Sequence, residues 1–176
     1  MKILVVLLAF VYSVFEWYVH KDIHAGYQFK LPSTPKISMD SLNTDLGIIY
    51  LESFMVTVGE GSHSIIYLAN HTQYPPEINF NDESDSSAYH ICQTIEDQLT
   101  EQLQGELIYS STTQMGGIPS RIFLIRYGED SSVLKMSVIP FKNHLISLQY
   151  FSDYNQRLSD DAERFFNSFS LLREGK

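Results

Sequence analysis

Six histidines and a single cysteine are the residues of this chain best suited to metal binding or nucleophilic chemistry. His20 and His24 stand four apart, which on a helix would put both imidazoles on one face. A closed zinc site needs four ligands, so a third and a fourth would have to come from elsewhere. The pair is therefore expected to be part of a polar spacer. His90 and Cys92 are two apart and fall on different faces of a helix. Cys92 continues an apolar row, which makes it an inert buried thiol rather than a nucleophile. No nucleophile elbow, phosphate loop or zinc-protease motif is present. Asp82, Glu83 and Asp85 lack the central glycine of a calcium loop and suit the start of a helix instead. Asn70-His71-Thr72 is a glycosylation sequon, relevant only in a eukaryotic secretory pathway. No catalytic residue, metal or cofactor is expected.

The elements that would carry these side chains belong to an ordinary globular chain. It has 176 residues, 44% of them apolar and 19% charged. That is too apolar for disorder and suits one domain. Aromatics reach 13%, mostly Phe and Tyr, which favour pleated surfaces. The formal charge of −9, with no run of Lys or Arg, argues against nucleic acid and anionic lipid as partners. One cysteine excludes an intramolecular disulfide.

Met1-Lys2 precedes an apolar run from Ile3 to Phe15. A positive start and a hydrophobic stretch of this kind fit an export signal, with cleavage positions at Val11, Ser13 or Ala25. An uncleaved anchor is the alternative, although a helical span needs about 20 apolar residues. Residues 1–25 are accordingly expected to be a signal peptide or membrane anchor plus spacer, and 26–176 a single domain. The protein is then exported, periplasmic or extracellular, or held at a membrane by its N-terminus alone.

Alternating apolar residues predict strands at Tyr27–Leu31, Lys36–Leu42, Gly47–Val58, His63–Asn70, Glu106–Thr113, Arg121–Tyr127, Val133–Phe141 and Leu145–Phe151. Short turns between several of these make the neighbours antiparallel. Ala88, Ile91, Cys92, Ile95, Leu99 and Leu103 form one face of a helix over 84–104, stopped at Gly105. A second helix, Asp160–Phe169, is capped by Ser159 or Asp160 and carries three inward phenylalanines. Between strand and first helix runs a loop, Thr72–Asp85. Tyr74, Pro75, Pro76, Ile78 and Phe80 make it a possible contact surface.

The order of these elements resembles the PsbP-like superfamily. The resemblance rests on Phe29-Lys30-Leu31-Pro32-Ser33-Thr34-Pro35, on Gly116-Gly117-Ile118-Pro119-Ser120-Arg121, and on the closing Phe165-Phe166-Asn167-Ser168-Phe169. It covers Tyr27 to Leu172. It implies an α+β fold, an α/β/α sandwich around a central antiparallel sheet, and a non-enzymatic protein that binds a larger partner. The lipid-acceptor cysteine of the lipoprotein members is missing, and no functional residue carries over. A protein-binding module is the leading expectation. A small-ligand or lipid carrier is the alternative and would show a large apolar pocket. A hydrolase with dispersed residues comes third and would show a buried His–carboxylate pair beside a nucleophile in a cleft.

Overall fold

The computed structural model describes residues 16–81, 87–129 and 132–172. The apolar run Ile3–Phe15 and the acidic cluster Asp82, Glu83 and Asp85 lie outside them.

Among the described residues, ten strands and two helices follow in chain order. β1 (Tyr18–Asp22) and β2 (Tyr27–Leu31) open the fold. β3 (Lys36–Thr44), β4 (Gly47–Val58) and β5 (Ile65–Gln73) form a meander. After α1 (Ser87–Gln102) come β6 (Glu106–Met115), β7 (Ile118–Tyr127), β8 (Ser132–Phe141) and β9 (His144–Asp153). α2 (Asp160–Phe166) and the two-residue β10 (Ser170–Leu171) close it. The large sheet has the order β3-β4-β5-β9-β8-β7-β6, and its strand pairs are antiparallel. The small sheet has the order β1-β2-β10.

Two cores lie on opposite faces of the large sheet. On one, Ile91, Cys92, Ile95 and Leu99 of α1, with Leu103 just beyond it, meet Phe123, Ile125, Leu134, Met136 and Val138. The helical spacing seen in the sequence is the docking face. On the other, the small sheet and α2 cover Phe54, Tyr67, Ile139, Ile146 and Leu148. β8 is buried along almost its whole length because the sheet is covered on both sides there. Such strands read as continuous apolar runs rather than as alternation. Ser159 Oγ accepts from Ala162 N–H and caps α2. Lys135 Nζ, buried at the sheet, donates to Glu163 on that helix at 2.5 Å.

Several expectations change. The fold begins before Gly26: β1 pairs with β2 from Tyr18↔Leu31 to Asp22↔Tyr27, and Trp17 is buried. The stretch read as spacer is thus a strand, made so by long-range pairing that local polarity hides. His20 points into the core and His24 lies exposed in the following turn, so the helical ligand pair does not form. α2 ends at Phe166 rather than Phe169, although Phe169 is still buried. β5 begins at Ile65, because Gly61–His63 is a 3-10 turn.

The end of α1 also differs. Gly105 N–H donates to Thr100 O and Gln104 N–H to Glu101 O, the Schellman arrangement. Gln104, not the glycine, takes the left-handed position, with φ of 48°. Gly105 is needed for space: a Cβ there would sit 2.4 Å from Ile125 Cγ2 and 2.8 Å from Arg126 O.

Candidate functional site

Three places in the fold concentrate chemistry or unused surface. The first is the seam between the two sheets. β1 brings His20 and Asp22, β2 Tyr27, β4 Glu52, β5 His71 and β9 His144. His71 Nε2 and His144 Nδ1 are 2.9 Å apart, and His71 Nδ1 lies 3.8 Å from Asp22 Oδ2. Tyr27 meets His71 edge-on at 5.3 Å between ring centroids. His20 packs on Phe54 at 4.2 Å.

Burial sets the protonation here. His71 is pushed down to about 4 by burial first, then by the neighbouring His144. His20 and His144 are lowered too, chiefly by burial, with Asp22 opposing in part. Glu52 is raised by burial and by Asp22. Burial also raises the Tyr27 phenol. Tyr27 Oη and His20 Nε2 have no hydrogen-bond partner among the described residues. These rings are neutral at pH 7. No group of three His, Cys, Asp or Glu among the described residues is arranged to hold a metal.

The second place is a pocket of about 520 Å3 between the start of α1, the β6–β7 end of the sheet and the end of β8. Its walls include Phe80, Cys92, Ile118, Pro140 and Phe141, with Arg121 beside them. Glu96 from α1, only 3% exposed, holds that guanidinium in a fork. Ser110 Oγ donates to the same carboxylate at 2.5 Å. Burial alone would raise the Glu96 carboxyl, but its bonds to Arg121 and Ser110 bring it below the usual range. The Cys92 thiol is pushed up to about 11 by burial and stays protonated.

The third is the free edge of the large sheet. All nine residues of β3 are exposed, and β3 pairs with β4 in unbroken register. Ile37 and Met39 on β3, with Ile48 and Tyr50 on β4, alternate onto one face and are all exposed, Met39 by 76%.

The loop expected to be a contact surface packs in part on the core. Phe80 is buried, and Tyr74 and Ile78 pack on the core beside it. Tyr74 N–H donates to Asn143 O, and Phe80 N–H to Lys142 O in the β8–β9 turn. Of the five apolar residues only Pro76 stays exposed, because apolar loop residues found a core to cover. The sequence carries no local sign of the three-histidine seam or of Arg121 with Glu96. That β3 and β4 are strands was legible, but not that β3 and the Ile48–Tyr50 end of β4 would stand exposed. Asn70 of the sequon lines a groove under α1, in a strand paired on both sides.

The chain is similar to the solution structure of cyanobacterial PsbP (CyanoP) from Synechocystis sp. PCC 6803. The TM-score is 0.52 and the identity 14%, covering 92% of this chain and 96% of that one. It is also similar to the crystal structure of LpqN, described as involved in cell envelope biogenesis of Mycobacterium tuberculosis. There the TM-score is 0.50 and the identity 12%, covering 79% of this chain and 86% of that one. No protein-family model and no curated protein matches the sequence. The fold is PsbP-like, as the order of elements implied. No helix among the described residues is long and apolar enough to cross a membrane.

Proposed function

We propose that this chain is an exported, non-enzymatic binding module that acts through protein contacts at the free edge of β3. The observation that carries this is the edge itself. Sheet proteins blunt exposed edges with lysines, prolines, bulges or covering loops, since an open edge templates pairing with another chain. The opposite edge is so treated. β6 shifts register between Leu107 and Tyr109, and Glu106 pairs with Arg126. Among the described residues β3 has neither bulge nor cover, and it bears only Lys36 and Asp40 as charges over nine residues. An extended partner segment can add a strand there, main-chain bonds giving affinity and the Met39 face giving specificity. A formal charge of −9 on each copy opposes self-association, which favours a different protein as partner.

Export is supported by the Ile3–Phe15 run and by the likeness to LpqN, a protein described as involved in envelope biogenesis. Cleavage after Ala25 would remove Trp17 and β1 from the fold, so processing at Val11 or Ser13 is favoured. N-terminal sequencing of the mature protein tests this. An N-terminus at Gly26, or intact Met1 in soluble cytosol, overturns it.

A photo-crosslinking residue at Ser41, exposed on β3, tests the edge in the host cell, with Glu101 on α1 as the control position. One discrete adduct from Ser41 is expected, absent from Glu101 and lost with Met39→Lys. Absence of an adduct, an adduct of two copies of this chain, or equal labelling from both positions overturns the proposal. The second reading, a small-ligand carrier, is favoured by the pocket beside Arg121.

A further inference from the structure

The pocket and the β3 edge lie at opposite ends of the large sheet, so a ligand in the pocket is independent of a protein at the edge. A volume of about 520 Å3 falls within the range that encloses a small molecule. The walls are mostly apolar, and Arg121 is the one charged side chain among the described lining residues. Its charge is already matched. Arg121 Nε donates to Glu96 Oε2 at 2.7 Å, and Nη2 donates to Oε1 at 2.9 Å. Nη1 has no acceptor among the described residues.

A fork of this kind has two consequences. It immobilises the guanidinium, so the remaining N–H groups are held in one plane and direction. It also cancels the charge, leaving a donor without a net positive field. An entering carboxylate would lose hydration without meeting a free cation, and it would approach a protein of charge −9. An entering ammonium would find no carboxylate among the described lining residues, since Glu96 lies behind Arg121. A neutral carbonyl needs only a donor and is cheaply desolvated. Cys92, protonated and buried, adds apolar surface rather than a nucleophile.

We propose that this pocket binds a small neutral amphiphile, its apolar chain or ring against Ile118, Pro140 and Phe141 and its amide or ester carbonyl accepting from Arg121.

Three ten-carbon probes test it on the full chain at pH 7: decanamide, decanoate and decylammonium. Binding is followed by calorimetry and by amide shifts in isotope-labelled protein. Decanamide is expected to shift the amides of Cys92, Ile118 and Phe141 and to bind about tenfold more tightly than either charged probe. Thr112→Trp, an exposed position on the pocket wall, should weaken decanamide about tenfold while the melting temperature stays put. Arg121→Lys keeps the charge but loses the planar fork, and should erase the preference for the amide. No shift at about 1 mM decanamide overturns the proposal. So does equal binding of the three probes, or binding that Thr112→Trp leaves unchanged. Shifts confined to the separate groove by Gln98 and Gln102 would overturn it as well.

Discussion

His71 and His144 meet ring to ring in the seam between the two sheets, Nε2 of one 2.9 Å from Nδ1 of the other. The pair is neutral because neither ring can charge without losing solvation or facing the other. His20, Asp22, Tyr27 and Glu52 face it from β1, β2 and β4, and Lys142 adds a repelling charge near His144. The folded pKa of His71 is depressed from 6.5 to about 4, so the unfolded chain binds more protons between those values. Stability from this group is full above pH 6.5 and falls as pH drops toward 4, by roughly 3 kcal/mol. Lowered His20, His144 and Glu96 act in the same direction. Raised Glu52 acts against them, since its contribution is present at low pH and lost as pH rises. Urea midpoints measured from pH 7.5 to pH 4.5 should decline, and His71→Gln should flatten the decline. A flat wild-type profile contradicts this.

Buried Glu96 pairs with half-buried Arg121 at the pocket wall, and the two halves are not equal in risk. Arg121→Met leaves a carboxylate only 4% exposed without its partner. The loss should be about 3–5 kcal/mol. Removing both charges, with Glu96→Leu and Arg121→Met together, should cost far less. A double-mutant cycle by chemical denaturation reads the difference directly. If the double variant is as unstable as Arg121→Met, burial of the unpaired charge is not the cause.

The turn from α1 into β6 makes opposite predictions for adjacent residues. Gly105→Ala drives a Cβ against Ile125 and the Arg126 carbonyl and should destabilise. Gln104→Gly relieves a left-handed non-glycine residue and should stabilise by about 1 kcal/mol. Thermal melts of the two variants should move in opposite directions.

Trp17 joins the second core from outside the expected domain. It meets Tyr67 edge-on at 6.3 Å, and the Arg164 guanidinium lies 4.5 Å over its ring. Trp17→Ala should cost about 3–5 kcal/mol. A chain starting at Gly26 should be less stable still, because it also lacks β1. Equal stability of chains starting at Ser13 and Gly26 would show that β1 does not hold the fold.

Much of the architecture was legible because its signals are local. Tyr27–Leu31 alternates cleanly, and Ile91, Ile95 and Leu99 repeat at helical spacing, so these elements announce the face they bury. β1 did not, since Lys21, Asp22 and His24 read as polar linker and only pairing with β2 makes the segment a strand. The packing of the Tyr74–Phe80 loop was hidden for a related reason: apolar residues in a loop signal a contact, but not how much of it is internal.

The sequence by itself determined the strand and helix periods, the antiparallel hairpins and the inert setting of Cys92, because those depend on neighbours within a few residues. Only the tertiary structure decided that His71 meets His144, 73 positions away, and that Glu96 holds Arg121, 25 positions away. It alone left β3 uncovered. Long-range register and coverage depend on how whole elements stack, and no spacing along the chain encodes that order.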